Sequence, residues 1–456
     1  MRRTHTAIIG GGISGLTVAH DLHKQSVDYV LIDRETELGG VVRTVTKGEF
    51  TFETGPNTAV LSNYETACLL QELEGVNISS ANEGAKKRLI MYKGKWEALP
   101  SSLFSYISTP LFSTKDKFRI WREPFLKRGD NPNESLAEFV RRRMGESYLR
   151  NAIDPFVSGV YGGNPHGLIT RLAFKKLYAL EQDYGSMIRG AIKKRKENKK
   201  NPEYKGVTKE IFSTGAGLQG VVRAISDSLD KTKIFCSTQL KSIDALNNGF
   251  KIVVERDGVQ TTIIADNVVS TISSYELSKL ENLFTPEEKK MLNDVKYADF
   301  VLVNVGYAEW QGDDINSFGG LIPSAENIDK FLGILFPSSM YADRAPKGGA
   351  LLALFMGGVR NPDILKLSDE VIKNEALQFV SKYLRANNAP TLLEVKRHQR
   401  VIPQYELEIE QVWNMIKAKQ CQHKGLYIGG SFIDGIGLPD RIKQGRMFAK
   451  MIRGNL

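Results

Sequence analysis

Thr6-Ala7-Ile8-Ile9-Gly10-Gly11-Gly12-Ile13-Ser14-Gly15-Leu16 is the stretch from which the rest of the sequence is read. Three apolar residues make a short strand, the glycines make a turn, and Ile13 and Ser14 begin a helix whose first N–H groups point at whatever binds there. Each glycine has its own task. Gly10 makes the tight turn, Gly12 lets the backbone approach a pyrophosphate, and Gly15 lets helix pack on strand. A glycine triplet alone is often only a turn. Here a helical run follows through Leu16, Val18, Ala19 and Leu22. A second strand, Tyr29-Val30-Leu31-Ile32, then ends at Asp33, 21 positions after Gly12. An acid at that place suits the ribose hydroxyls of a dinucleotide and disfavours a ribose 2′-phosphate. Gly11 completes the turn, and Arg34 follows the acid.

Far along the sequence the same device recurs. Leu426-Tyr427-Ile428 is a strand, Gly429-Gly430 a turn, and Gly437-Leu438-Pro439 a helix start with proline in its first turn. A flavin dinucleotide needs two such ends, one for pyrophosphate and one for ring. Ile436, Gly437 and Leu438 fall at the ring end with Gly430, where the positive end of the closing helix suits negative charge on a reduced flavin. Between the two ends, Gly39-Gly40-Val41 lets the chain run close to the cofactor. Gly55-Pro56-Asn57-Thr58 then forms a turn suited to the underside of the ring. NAD dehydrogenases rarely carry this extension. The expectation is therefore FAD, in an α/β, Rossmann-like domain whose other parts are insertions.

Composition narrows the class. The 456 residues are 41% apolar, enough for a large core. Cys68, Cys236 and Cys421 are scattered, which favours a reducing compartment and no metal. The six histidines have no ligand spacing, and neither His-Glu-x-x-His nor Gly-x-Ser-x-Gly occurs. A chain without a side-chain engine fits one whose cofactor does the chemistry. The net charge of +10 is uneven: residues 85–210 hold 27 Lys+Arg against 13 Asp+Glu. Within them, Ala98 to Phe112 is uncharged and dotted with aromatics. Its flanks are Lys93, Lys95, Lys115, Lys117 and Arg119, a pattern suited to an anionic membrane surface. No apolar run approaches the roughly 18 residues of a spanning helix. Nucleic acid is not expected, because no aromatic platforms interleave the charge.

Residues 1–84, 206–275 and 395–456 are expected to form one discontinuous FAD-binding domain. Residues 85–205 read as a basic, mainly helical domain for membrane contact and substrate access. Residues 276–394 read as a substrate-binding sheet, with strands at 301–305, 333–336 and 350–354 and helix in 364–384. Strands are expected at 234–240, 250–255, 261–264 and, returning under the dinucleotide, 267–271. The Lys193 to Lys200 run reads as a solvated loop or lipid contact.

Four segments carry a family resemblance: the opening through Gly55-Pro56-Asn57; Asp154-Pro155-Phe156-Val157-Ser158-Gly159-Val160-Tyr161-Gly162-Gly163-Asn164-Pro165; Phe336-Pro337 through Arg344-Ala345-Pro346 with Phe355-Met356-Gly357-Gly358; and Gly429-Gly430 to Gly445. In these the chain resembles the HemY-type protoporphyrinogen and coproporphyrinogen oxidases of the flavin amine oxidase superfamily. The resemblance implies a Rossmann-like FAD domain of the glutathione-reductase/amine-oxidase type, with an inserted α-helical domain and a mixed-sheet substrate domain. It implies an oxygen-dependent, six-electron oxidation of protoporphyrinogen IX or coproporphyrinogen III in heme biosynthesis. Hydride would pass to flavin N5, and dioxygen would become hydrogen peroxide.

It also assigns residues. Gly10, Gly11, Gly12, Ile13, Ser14, Gly15, Asp33, Arg34, Gly40, Val41, Gly55, Pro56, Asn57, Thr58, Leu240, His398, Gly430, Ile436, Gly437 and Leu438 match cofactor contacts. Leu321, Leu335 and Phe355 match apolar substrate positions. Lys47 matches a propionate partner, here a point charge rather than a guanidinium fork. Gly159 lies in a turn that can offer its carbonyl to a pyrrole N–H. A cytoplasmic protein, peripheral on the inner face of the cell membrane, monomeric or homodimeric, is implied, with the next heme-pathway enzyme as a candidate partner. Two other readings stay open: a flavin oxidase or desaturase acting on an amine or polyene, and a non-catalytic flavin-fold binding protein.

Overall fold

The computed structural model describes residues 2–201, 204, 206–328 and 330–454. Strand Arg2–Ile9 lies inside a seven-stranded sheet whose order is Ile234–Phe235, Tyr29–Ile32, Arg2–Ile9, Val259–Ser270, Phe250–Arg256 and Gln239–Ala245, with Leu426–Ile428 also on Val259–Ser270. Ala7, Ile8 and Ile9 are buried without alternation, as a parallel strand covered on both faces requires. Val259–Ser270 pairs antiparallel with Phe250–Arg256 through Ala265, then parallel with Leu426–Ile428 from Val268 onward. The sequence reading had broken it into 261–264 and 267–271. It is one strand because its other edge stays paired with Arg2–Ile9 throughout, from Ile263 to Ser270. Ile9, Ile32, Ser270 and Ile428 end in register, so four parallel strands open at one crevice. Ligands of open α/β sheets bind in such a crevice.

The opening helix (Ile13–Lys24) covers one face and packs on the closing helix (Leu438–Arg453). Their contact needs Gly445: a Cβ there would stand 2.6 Å from the Ser14 carbonyl oxygen and 2.7 Å from Thr17 Cβ. Leu438, Ile442, Phe448, Ala449 and Ile452 bury the same stripe. Arg446 binds Asp21 at 2.6 Å and Glu72 at 2.9 Å, and Lys24 binds Glu72 at 3.0 Å. Helix Tyr64–Glu72 is thereby tied to both.

A second seven-stranded sheet runs Leu392–Pro403, Tyr297–Tyr307, Ala350–Gly357, Phe331–Leu335, Gly319–Leu321, Arg88–Tyr92 and Lys95–Ala98. Three of its strands lie, wholly or in part, where the sequence points to other structure. Arg88–Tyr92 and Lys95–Ala98 form a hairpin inside the mainly helical segment, recruited by parallel pairing with Gly319–Leu321. Leu392–Pro403 stays in this sheet past residue 395, held along Tyr297–Tyr307. Lys193 to Lys200 are not a loop but the end of helix Met187–Lys200. Residues 364–384 divide into a 3-10 turn, Pro362–Lys366, and helix Asp369–Leu384. Among the described residues, no helix is long and apolar enough to cross a membrane.

Candidate flavin and substrate site

Two connected chambers occupy the crevice. The outer one, about 620 Å³, is lined by Gly10, Gly12, Asp33, Arg34, Gly40, Val41, Leu240 and His398, among others. The inner one, about 360 Å³, is lined by Gly12, Ile13, Ser14, Val41, Gly55, Pro56, Gly159, Phe300, Leu332, Phe355, His398, Val401, Ile402, Gly430, Ile436, Leu438 and Arg441. Gly12, Val41, Thr271, His398, Val401 and Ser431 border both, so one elongated ligand can thread the two.

The glycine turn is built for close approach. Gly10 has φ +102°, and its N–H donates to the Ile32 carbonyl at 2.8 Å. A Cβ on Gly15 would stand 1.9 Å from the Gly10 carbonyl oxygen, so only glycine allows this helix so near its strand. A Cβ on Gly11 would stand 2.4 Å from Leu38 Cδ2 and 2.9 Å from Asp33 Oδ2. A Cβ on Gly12 would meet nothing within 4 Å. The opening helix has no side chain capping Gly12, and the closing helix has none at Gly437. Two uncapped helix starts at one cavity form an anion cradle. A dinucleotide flavin fits these residues: its pyrophosphate suits the uncapped opening turn, its ribose the Asp33 end, and its flat ring the closing helix start at the mouth of the apolar inner chamber. Gly55 closes the cradle from the side, since a Cβ there would stand 1.9 Å from the Val41 carbonyl oxygen.

Asp33 is tied to the turn itself. Its Oδ2 accepts the Gly11 N–H at 2.5 Å and its Oδ1 the Glu35 N–H at 2.8 Å. Each oxygen keeps a second lone pair for a diol. Arg34 pairs with Glu35 and Glu276 at the rim. His398 stacks on Phe300, centroids 4.6 Å apart, and its Nε2 lies 2.6 Å from the Thr54 carbonyl oxygen. A carbonyl only accepts, so Nε2 carries the proton, and burial lowers the ring's pKa. A neutral imidazole therefore stands between the chambers.

Other assigned residues lie beside the chambers rather than in their walls. Asn57 is buried, its Nδ2 donating to the Gly55 carbonyl at 3.3 Å, and Thr58, half-buried, lines neither chamber. Leu321 packs behind Gly159, and Leu335 packs behind Phe300 and Phe355. Gly159 belongs to the last turn of helix Asp154–Tyr161, not to a loop. Helix-end carbonyls fall outside the intrahelical ladder. Lys47 is misplaced: it stands exposed at the end of strand Thr44–Lys47, and its Nζ contacts Glu394 Oε1 at 2.5 Å. It lines neither chamber.

Phe300, Leu332, Val401, Ile402 and Arg441 were not singled out from sequence. The four apolar ones look like ordinary strand core, and only sheet register brings them to one wall. Arg441 carried a readable signal, a cation in the first turn of a helix, where the dipole favours acids.

A model of the family described as flavin containing amine oxidoreductase matches residues 13–450. The spinach protein named protoporphyrinogen oxidase 1, chloroplastic, is 29% identical over 467 aligned positions, covering 94% of this chain and 81% of its own. The Bacillus subtilis protein named coproporphyrinogen III oxidase is 26% identical, covering 97% of each chain. The crystal structure of a protein from Exiguobacterium sp. 255-15 superposes with a TM-score of 0.80 at 22% identity, over 100% of this chain and 99% of that one, a likeness of fold.

Proposed function

The chain belongs to the family of flavin containing amine oxidoreductases, and we propose that within it this protein is an FAD-dependent oxidase of a porphyrinogen, protoporphyrinogen IX or coproporphyrinogen III. The observation that carries this reading is the apolar chamber of Gly159, Phe300, Leu332, Phe355, Val401 and Ile402 opening directly off the flavin cradle. The near end-to-end match to relatives named for those two substrates supports it. Bound flavin supplies a hydride acceptor. The residues do the rest. Phe300, Leu332 and Phe355 wall a flat macrocycle and keep water from it. Gly159 brings backbone against the substrate, where its carbonyl accepts a pyrrole N–H. The uncapped Leu438–Arg453 helix start lies where negative charge develops. Oxygen is the electron acceptor in this reading.

The purified yellow protein, assayed aerobically with both porphyrinogens and corrected for autoxidation, should generate porphyrin fluorescence in proportion to bound FAD. The ratio of the two rates names the substrate. Bound FAD without fluorescence growth would sink the reading.

The reading extends to a membrane surface. Leu103, Phe104 and Ile107 on helix Leu103–Ser108, and Phe118, Trp121 and Phe125 just after, are all exposed, Phe104 by 82% and Phe125 by 86%. Lys115, Lys117, Arg119 and Arg122 stand among them. Exposed aromatics with basic neighbours suit the interface of an anionic bilayer, from which an apolar substrate would enter.

A further inference from the structure

Arg441 lines the inner chamber and is the one formally charged side chain in its wall among the described residues. Its Nη1–H donates to Gln444 Oε1 at 2.8 Å. The same Oε1 accepts the Gly430 N–H at 2.8 Å, while Gln444 Nε2 is committed to Asp434 at 2.7 Å. On the other side, Ser14 Oγ donates to the Arg441 carbonyl at 3.0 Å. The residue therefore links Ser14 of the opening helix, through its carbonyl, to Gly430 of the closing strand, through Gln444. Its Nε and Nη2 are buried with no hydrogen-bond partner. Burial pulls its pKa down, against the opposing charges of Asp434 and Asp440 nearby.

Nε and Nη2 share one edge of the guanidinium, the edge that takes two oxygens of a single oxyanion side by side. An unpaired buried fork is costly, and a ligand that completes it repays the cost on binding. We propose that Arg441 is an oxyanion receptor that holds the pyrophosphate of the bound flavin dinucleotide. Three oxyanions could in principle meet this fork: the pyrophosphate, the ring once reduced, or a substrate carboxylate. Its place favours the first, because Arg441 shares the chamber wall with Gly12, Ile13 and Ser14, the uncapped start of the opening helix, where a pyrophosphate binds.

The test uses the full-length protein stripped of flavin, titrated with ADP, FAD and riboflavin, for the parent, Arg441→Met and Arg441→Lys. Arg441→Met is expected to weaken ADP and FAD at least about tenfold and leave riboflavin unchanged, with Arg441→Lys in between, since one charged fork is lost. Flavin-free Arg441→Met should melt no lower than the parent, because it sheds an unpaired buried charge. Unchanged ADP affinity with a lowered flavin reduction potential would overturn the proposal in favour of the ring. Unchanged ADP affinity with only a raised substrate KM would overturn it in favour of a carboxylate. Parallel loss of all three ligands with a lower melting point would make Arg441 merely structural.

Discussion

Replacing Gly159 by alanine, alone and with Leu321→Ala, tests how the inner chamber is shaped. A Cβ on Gly159 would stand 2.3 Å from Leu321 Cδ2. Ordinary carbon contacts are about 3.5–4.0 Å, so the overlap is about 1.5 Å. Forcing one methyl into such a contact costs about 1–3 kcal/mol. Against this, alanine inside a helix gains about 1 kcal/mol over glycine, and Gly159 lies in helix Asp154–Tyr161. The single variant should thus lose about 0–2 kcal/mol. In the Leu321→Ala background the clash is gone and only the helix gain remains, so the same change should stabilise by about 1 kcal/mol. The coupling between the two sites is then about 1–3 kcal/mol, read as the non-additive term of four urea midpoints. Porphyrinogen KM should rise in Gly159→Ala and return towards the parent in the double variant. Additive midpoints would refute the reasoning, because they would mean that Leu321 does not seat the helix end.

Lys47→Ala should leave porphyrinogen KM within about twofold and stability within about 1 kcal/mol, since its exposed pairing with Glu394 is worth little; a large KM rise would return it to the site. Glu53, buried between the Leu218 N–H and the Thr44 hydroxyl, has its pKa pushed by burial to about 7. The folded state holds that proton more tightly than the unfolded chain, so stability is greatest below the unfolded value and falls as pH rises towards 7. Glu53→Gln should flatten that fall and be the more stable protein at pH 8, by about 1–3 kcal/mol; parallel profiles from pH 5 to pH 8 would contradict it. Phe104→Glu with Phe125→Glu should abolish co-sedimentation with anionic vesicles while leaving detergent-assayed turnover intact; unchanged sedimentation would move the membrane face elsewhere.

The cofactor half of this site could be read from sequence because its residues are dictated by distances within one turn. Gly15 must be glycine when the Gly10 carbonyl is 1.9 Å from where a Cβ would sit, and that constraint shows as spacing. Gly55 is legible for the same reason. The substrate half is written in register. Phe300 faces His398 only because Tyr297–Tyr307 pairs antiparallel with Leu392–Pro403 across a register shift between Ala298 and Phe300. Nothing local to either residue announces that pairing. Lys47 misled because its partner, Glu394, lies 347 positions away on another sheet. The hairpin at 88–98 was missed because its alternation is brief and its neighbour, Gly319–Leu321, is remote in sequence.

The two turns of the flavin cradle also set a clock. Gly10 and Gly430 are about 420 residues apart, and strand Leu426–Ile428 must enter beside Ser270 before the second turn exists. At ribosomal speeds of about 5–20 residues per second, the first turn waits about 20–80 s for its counterpart. Until then, the nascent chain presents half a cradle with an open strand edge at Val268 to Ser270. Flavin loading is in this sense a receipt for the arrival of the second turn. A chain cut short before Leu426 lacks both the last parallel strand of this sheet and the second turn.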